Sequence, residues 1–188
     1  MYLLTPPTAE PVTTDEAMAA ARLTAGDALA SVIPGHIAAA RQVAEQEAGG
    51  NRWMQQTWRI ELEDWPAADE ALRIHRPSAL AIAYWTGATW STLATNAYVY
   101  FPLGNWTAIA PALNTSWPTL GQVAGGPRVR VDMTVGAANA ATVPECVKLF
   151  IKALVAHWVD SPQAAHARTL MLAPFLRSLL DPVRLWGD

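Results

Sequence analysis

Four histidines, one cysteine and a cluster of three carboxylates are the side chains in this sequence that could perform metal or acid–base chemistry. They are His36, His75, His157, His166, Cys146, Glu61, Glu63 and Asp64. The histidines lack the H-x-x-x-H spacing that places two ligands on one helix face, and zinc requires three or four convergent ligands. We therefore predict no metal site, and we interpret His157 as a residue that packs or caps within an apolar helix.

The carboxylates and the cysteine give no clear catalytic arrangement. Glu61 and Glu63 share one face of a predicted strand beside Asp64, and paired carboxylates are the catalytic groups of glycosidases. A solvated strand face explains the same alternation more simply. Cys146 lies in the first turn of a predicted helix, where a thiolate is favoured, but no histidine lies near it in sequence. No nucleophile elbow, P-loop or dinucleotide-binding glycine motif occurs, so we predict no catalytic residue, no cofactor and no enzyme activity.

Tryptophan is the other residue type with a possible binding role, because the chain has nine. Exposed indole rings stack on sugars and on the bases of single-stranded nucleic acid. Those in the middle of the chain include Trp85, Trp90, Trp106 and Trp117. No basic groove accompanies them in the sequence, so we interpret these four as part of a β core or a subunit interface, where tryptophan is enriched.

The composition favours a protein that assembles with other chains. Of the 188 residues, 52% are hydrophobic and 15% are charged, and the charged share is well below the usual ~25%. Surplus apolar surface usually lies in an interface with a partner. The net charge is −3 and the basic residues are dispersed, so the chain lacks the electrostatic footprint of a nucleic-acid-binding protein.

Cysteine usage and targeting signals indicate a reducing cytoplasm. The single Cys146 excludes an intramolecular disulfide and a multi-cysteine zinc site. Residues 1–7 have neither the basic nor the apolar part of a signal peptide. The longest apolar run, 149–159, is interrupted by Lys152 and His157 and is shorter than the ~20 residues that span a bilayer. We expect no membrane partner.

Residues 13–49 predict two N-terminal helices. Thr13 and Glu16 are spaced as a capping box, which opens a short alanine-rich helix to about Leu23. A second helix is predicted over 27–48, because apolar residues recur there at spacings of three and four. Pro34, followed by Gly35, falls inside this helix and should kink or split it. Its apolar face consists of Leu29, Ile33, Ile37, Ala40 and Ala44.

Residues 53–135 predict an antiparallel β insertion. The segment 56–63 alternates strictly, which places Trp58, Ile60 and Leu62 on one face and charged residues on the other. The segment 128–135 alternates in the same way. Further strands are predicted at 71–75, 80–86, 89–93 and 97–101, with one short strand at 106–109 inside a long loop over 102–127.

Residues 142–160 predict a core helix, and 174–188 predict a short helix followed by a docking tail. The core helix is apolar nearly all round, so we expect it to be buried on more than one side. The chain end is too apolar to remain in solvent. Together the elements predict an α+β fold: a helical core (two N-terminal helices, a long apolar C-terminal helix and a short terminal helix) with an antiparallel β insertion.

Several short motifs, in this order, resemble a known family. They are Thr5-Pro6-Pro7 in the lead-in and the segment 10–17 after it, Gln56-Thr57-Trp58, Val143-Pro144-Glu145, Val155-Ala156-His157-Trp158, and a closing Arg184-Leu185-Trp186. This order is similar to the head–tail connector (adaptor) family of tailed phages and gene transfer agents, over nearly the whole chain. Pro34 and the high tryptophan content depart from the family's pattern.

The resemblance implies a single adaptor domain over residues 1–188 that assembles with itself into a ring of about twelve subunits through heterologous contacts. Such a ring lies below the portal protein and receives a stopper or tail-terminator protein. DNA passes through its lumen without specific binding, which suits a mildly acidic chain because a basic lining would add phosphate contacts. The implied location is the head–tail interface of a virion that is assembled in the cytoplasm of a bacterial host.

Surplus apolarity on the core helix and at the chain end leads to two site hypotheses. Residues predicted to dock on the portal are Phe175, Leu176, Leu179, Leu180, Val183, Arg184, Leu185 and Trp186. Residues predicted to form the subunit interface are Phe150, Leu154, His157 and Trp158.

Two alternative functions stay open at this point. Another virion ring, such as a stopper or tail terminator, would be mainly β, so strong helical circular dichroism would count against it. An aromatic-rich β module for carbohydrate or single-stranded nucleic acid would show quenching of tryptophan fluorescence by its ligand. An enzyme is less favoured than either, because the sequence lacks a convergent catalytic set.

Overall fold

A computed structural model of the protein describes residues 1–68, 70–161 and 174–186. Within these ranges the chain forms four α-helices and two antiparallel sheets, so the fold is mixed α+β. The described residues divide into two compact units. The β unit contains residues 1–6 and 55–136, and the helical unit contains residues 7–54, 137–161 and 174–186.

The described residues of the β unit form seven strands. They are β1 (Tyr2–Thr5), β2 (Gln56–Leu62), β3 (Ala79–Trp85), β4 (Trp90–Thr92), β5 (Tyr98–Leu103), β6 (Trp106–Pro111) and β7 (Val129–Val135). Five of them form one sheet in the order β1-β2-β7-β3-β4, and β5 and β6 form a separate hairpin.

The central strand β7 shows why this sheet forms. Its residues alternate strictly between buried and half-buried positions, as a strand with one face on a core requires. The buried residues Val129, Val131 and Met133 face the same core as Ile82 of β3 and Ile109 of β6. The predicted alternation over 56–63 and 128–135 is therefore confirmed by β2 and β7, which pair in antiparallel register along their whole lengths.

Three segments of the β unit differ from the prediction. Residues 71–75 form no strand, because Leu72 makes only an isolated bridge to Thr107 while Leu72 and Ile74 fill the core. Residues 106–109 belong to a longer strand, β6, which pairs with all of β5. Residues 2–5, for which no strand was predicted, pair with β2 as the edge strand β1.

The helical unit has four α-helices and short 3-10 turns among its described residues. The helices are α1 (Thr14–Ala20), α2 (Ile33–Glu47), α3 (Glu145–Asp160) and α4 (Pro174–Ser178), with 3-10 turns at Ala28–Val32, Ala140–Thr142 and Asp181–Val183. The predicted capping box at Thr13 and Glu16 is confirmed. The helix predicted over 27–48 is split beside Pro34, as predicted, into the 3-10 turn Ala28–Val32 and the α-helix α2. Pro34 lies in the first turn of α2, where no backbone donor is needed.

Helix α3 corrects the prediction of a helix that is apolar all round. It packs against α1 and α2 through one face, and the opposite face is open, with Leu149 49% exposed. The buried residues recur at spacings of three and four, so α3 is an amphipathic helix with a wide apolar face. Its buried residues are Val147, Phe150, Ile151, Leu154, Val155 and Trp158.

The C-terminal part of the prediction is described only in part. The helix predicted from Pro174 to Leu180 ends at Ser178, and a 3-10 turn follows it. His166 and the last two residues of the predicted tail, 187–188, lie outside the described residues.

The capping box of α1 gives the first testable prediction. The Thr13 hydroxyl accepts a hydrogen bond from the Glu16 backbone N–H at 3.2 Å. Thr13→Ala removes this bond, so we expect the free energy of unfolding to fall by about 1 kcal/mol in urea titrations. Thr14→Ala, one residue further along, is the matched control and should change it by less.

The same box predicts a pH dependence. Hydrogen bonds from the backbone and side chain of Thr13 lower the pKa of Glu16 below its ordinary value. A carboxylate whose pKa is lower in the folded state stabilises the fold above its unfolded pKa and loses that effect as the pH falls through its folded pKa. The difference between wild type and Thr13→Ala should therefore be smaller at about pH 3 than at about pH 7. An equal difference at both pH values would contradict this prediction.

Candidate assembly surfaces

The C-terminal segment is anchored to the helical core through Leu180. This side chain is fully buried and belongs to the same core cluster as Phe150 and Leu154 of α3. Leu176, Leu179 and Val183 pack against that cluster while staying partly exposed. Burial of one leucine side chain contributes about 1.5–3 kcal/mol, so the segment is held in place by its own chain.

Polar contacts fasten the same segment to the C-terminal end of α2. The guanidinium of Arg177 donates to both carboxylate oxygens of Glu47, at 2.9 and 3.3 Å. Arg184 Nε donates to the backbone carbonyl of Glu47 at 2.9 Å, and the Leu185 N–H donates to the carbonyl of Ala48 at 2.9 Å. The bonds from Arg184 and Leu185 use carbonyls that a helix end leaves without intrahelical partners.

Gly49 explains how the chain end approaches α2 so closely. Its φ angle is +75°, a left-handed conformation that glycine adopts readily at the end of a helix. A β-carbon at this position would clash with the backbone carbonyl of Leu185. The glycine therefore serves both the turn and the contact with the C-terminal segment.

The residues predicted to dock on the portal divide into two groups. Phe175 is 70% exposed and Trp186 is 62% exposed. The others are partly or fully buried, because they hold the segment on its own helices: Leu176, Leu179, Leu180, Val183, Arg184 and Leu185. Arg184 lies over the ring of Trp186, with its guanidinium carbon 5.1 Å from the ring centroid. Two aromatic side chains thus project from an anchored base.

The residues predicted to form the subunit interface lie mostly on the core face of α3. Phe150 and Leu154 are fully buried, and Trp158 is buried against His36 with ring centroids 5.7 Å apart. His157 is exposed. The exposed face of α3 is the opposite one, and it contains Leu149.

A buried carboxylate organises the helical unit. Glu45 on α2 is almost completely buried and accepts hydrogen bonds from Arg41 and Arg52, each at 3.0 Å. It also accepts from the backbone N–H of Trp53 at 3.3 Å. Arg41 in turn donates to Glu10 of the lead-in at 2.7 Å. One network thus joins the lead-in, α2 and the segment that leaves α2, and sequence reasoning did not identify it.

The charged face of the five-stranded sheet is a ladder of ion pairs. Arg59 donates to both oxygens of Asp132, at 2.6 and 2.7 Å, which raises the pKa of Arg59 above its ordinary value. Arg130 donates to Glu61 at 2.9 Å, and the Glu61 carboxylate therefore belongs to an ion pair of this ladder. Glu63, the other half of the possible catalytic pair, is exposed at the end of β2. The arrangement is that of a solvated sheet face whose charges neutralise one another.

Four tryptophans of the β unit pack against one another in two pairs. Trp65 and Trp117 stack with ring centroids 4.5 Å apart. Trp85 and Trp90 meet edge to face at 5.8 Å, and Arg130 lies 3.8 Å above the Trp90 ring. Indole N–H groups donate to backbone carbonyls, as Trp65 does to Pro118 at 2.9 Å. These rings stabilise the loops around the sheet, and the pairing covers faces that a stacking platform would need to leave open.

The sequence predicted neither a metal site nor a membrane-spanning segment. Among residues 1–68, 70–161 and 174–186, no group of three or more histidine, cysteine, aspartate or glutamate side chains is placed to hold a metal ion. His75 contacts the carbonyl of Asn105 at 2.7 Å through its Nδ1 atom. No helix in the same ranges is long and apolar enough to cross a membrane.

Comparison with known proteins shows where this fold occurs. The chain is similar to one in the neck of an empty GTA particle computed with C6 symmetry, at 20% identity and a TM-score of 0.74, with 100% of this chain and 97% of that chain covered. It is also similar to a chain of the virion of a native gene transfer agent (GTA) particle, at 21% identity and a TM-score of 0.73, covering 100% and 96%. A third is in the neck of a native GTA particle computed with C12 symmetry: 21% identity, TM-score 0.65, covering 100% and 97%.

These likenesses show that the chain has the fold of a gene transfer agent neck chain over its whole length. No protein-family model matches the sequence, and no curated protein matches it. At about one identical residue in five, the fold is shared although most side chains differ. The surfaces described above therefore have to be interpreted from this chain's own residues.

The Glu45 network gives a stability prediction. Glu45→Ala removes the buried carboxylate that Arg41 and Arg52 share, and breaking a buried ion pair costs about 3–5 kcal/mol. We expect a loss of that size in the free energy of unfolding, measured by urea titration. Gln46→Ala, at the next and exposed position of α2, is the control and should stay within about 0.5 kcal/mol of wild type. A Glu45 variant as stable as this control would exclude a stabilising role for the network.

Proposed function

We propose that this chain is a structural, non-catalytic ring protein of the head–tail neck of a gene transfer particle or tailed phage. The specific role that we assign is that of the adaptor, which lies below the portal and passes DNA to the tail components. The observation that carries this proposal is the likeness in fold to neck chains, which covers the whole of this chain and at least 96% of each neighbour.

Symmetry supports a ring as the functional form. Two of the neighbouring particles were computed with C6 and C12 symmetry, and a closed ring uses one heterologous contact repeated around an axis. A chain in such a ring needs two complementary surfaces. The exposed apolar residues of this chain lie on both units, with examples at Leu149 of α3 and Val99 of β5.

Phe175 and Trp186 are the residues that we assign to portal docking. They are large, exposed and aromatic, and aromatic anchors carry much of the energy of protein interfaces. The buried Leu180 and the Arg177–Glu47 ion pair hold the segment that carries these two rings. A preorganised anchor loses little conformational entropy on binding, which favours affinity.

The charge distribution supports a role in which DNA passes without being held. The net charge is −3, and the arginines on the sheet face are paired with carboxylates. Each unpaired basic side chain at a DNA surface would add a phosphate contact and slow passage. We assign no DNA-binding residue to this surface.

The docking assignment predicts a selective loss of portal binding. Phe175→Asp with Trp186→Asp should weaken binding to the portal protein from the same particle by about tenfold or more, because a central aromatic anchor contributes about 2 kcal/mol or more. Binding is measured by native mass spectrometry or by surface plasmon resonance. Leu113→Asp is the matched control, since Leu113 is an 89% exposed leucine in a loop of the β unit.

The possible outcomes distinguish an error in the docking assignment from an error in the proposed function. Portal binding that is equal in the double variant and in the control would contradict docking by Phe175 and Trp186. A wild-type chain that ignores the portal and binds a tail component would assign it to another ring of the neck, such as the stopper. A chain that binds neither would contradict the proposal.

A further inference from the structure

Two strands of the β unit expose an uncharged edge. Every residue of β1 is exposed, and Tyr2, Leu3 and Leu4 each leave between 40% and 44% of their surface accessible. On β5, Val99 and Tyr100 are 47% and 42% exposed. Natural sheets commonly protect a free edge with lysine or another charge, because unpaired backbone groups accept a further strand. Neither β1 nor β5 contains a charged residue.

The position of Pro102 and the pairing of β5 with β6 show which backbone groups of β5 make no hydrogen bond to β6. Pro102 faces Thr107 of β6, and the N–H and C=O of Thr107 bond outward to Leu72. This is therefore a pair without mutual hydrogen bonds, and such pairs alternate along an antiparallel ladder. Tyr100 lies two residues from Pro102, so its N–H and C=O also point away from β6. Among the described residues no other backbone group bonds to them.

Two grooves lie beside this free edge, and Tyr100 contributes to the lining of both. The first has a volume of about 260 Å³ and is lined by Pro77, Phe101 and Pro102 among others. The second runs between the start of β3 and residues 98–100 of β5. Free backbone groups flanked by side-chain pockets are the arrangement that binds an added strand, since the backbone provides affinity and the pockets provide specificity.

We propose that the strand added at β5 is β1 of a second copy of this chain. The inner edge of β1 is paired with β2, and no described residue bonds to the backbone groups on its outer edge. Leu3 and Leu4 of β1 are apolar side chains, which match the mainly apolar lining of the grooves around Tyr100, where Arg76 is the charged residue. The contact joins β1 of one copy to β5 of the next, so it is heterologous and repeats around a ring. It rests on the proposed function, for which it supplies the subunit contact.

A cross-linking experiment tests whether these two strands meet. Two versions of the full chain are made in a Cys146→Ser background, one with Leu4→Cys and one with Tyr100→Cys. The versions are mixed under the conditions in which wild type forms its ring, alone or on the portal, and treated with a short bis-maleimide. We expect a cross-linked dimer of one copy of each, at a yield about tenfold or more above a mixture of Leu4→Cys with Leu113→Cys, because neighbouring groups react at a high effective concentration.

The other outcomes contradict the contact in recognisable ways. A dimer in the Leu4→Cys sample alone would mean that β1 pairs with β1 across a two-fold axis. A ring of wild-type mass without any β1–β5 product would overturn this inference and leave the proposed function intact. A wild-type chain that forms no ring, either alone or on the portal, would contradict the proposed function and this contact together.

Charge substitutions give a second test that does not depend on cross-linking. Tyr100→Lys alone and Leu4→Glu alone should each reduce the ring population by about tenfold or more, because a charge at an edge opposes strand pairing. Chains that carry both substitutions should recover assembly, since the lysine of one copy then meets the glutamate of the next. Failure of recovery, in double variants whose circular dichroism matches wild type, would show that the two strands do not meet.

Discussion

The buried carboxylate of Glu45 is the interaction on which the helical unit depends. Two arginines and a backbone N–H converge on it, and Arg41 extends the network to Glu10 in the lead-in. A buried charge is expensive unless its partners are complete, so these residues have to adopt one relative arrangement. That arrangement sets the position of α2. The C-terminal end of α2 then provides Glu47, Ala48 and Gly49 as the base on which the chain end lies.

The anchored chain end combines a buried residue with exposed aromatic side chains. Leu180 is part of the core, whereas Phe175 and Trp186 are largely exposed. Leu180 and the Arg177–Glu47 pair hold the segment that carries these two side chains against the helical unit. The β unit differs, because it exposes strand edges without backbone partners and mainly apolar grooves. Large exposed rings on an anchored segment and unpaired edges on a sheet both suit a protein whose contacts are completed by other chains.

The sheet face opposite the core explains why this chain, with few charged residues, still places several of them together. Arg59, Asp132, Glu61 and Arg130 lie on adjacent strands in register, so each side chain meets an opposite charge. Cross-strand pairs of this kind stabilise the register of a sheet. They also neutralise the arginines that would otherwise attract phosphate. The pairing between β2 and β7 thus stabilises the fold and provides each of these arginines with a carboxylate partner.

The amino-acid sequence on its own determined those elements whose residue pattern extends over only a few neighbouring positions. The alternation of β2 and β7 and the Thr13–Glu16 capping box are periodic or short-range, so the sequence alone predicted them. Tertiary packing decided the rest. α3 carries apolar residues on more than one side, and only its contacts with α1 and α2 show that Phe150 and Leu154 face inward while Leu149 faces outward. β1 is too short to show a period and exists because β2 pairs with it. Glu45 meets Arg52 and Trp53 only because the chain turns after α2, and a turn of this kind leaves no periodic signal in the sequence.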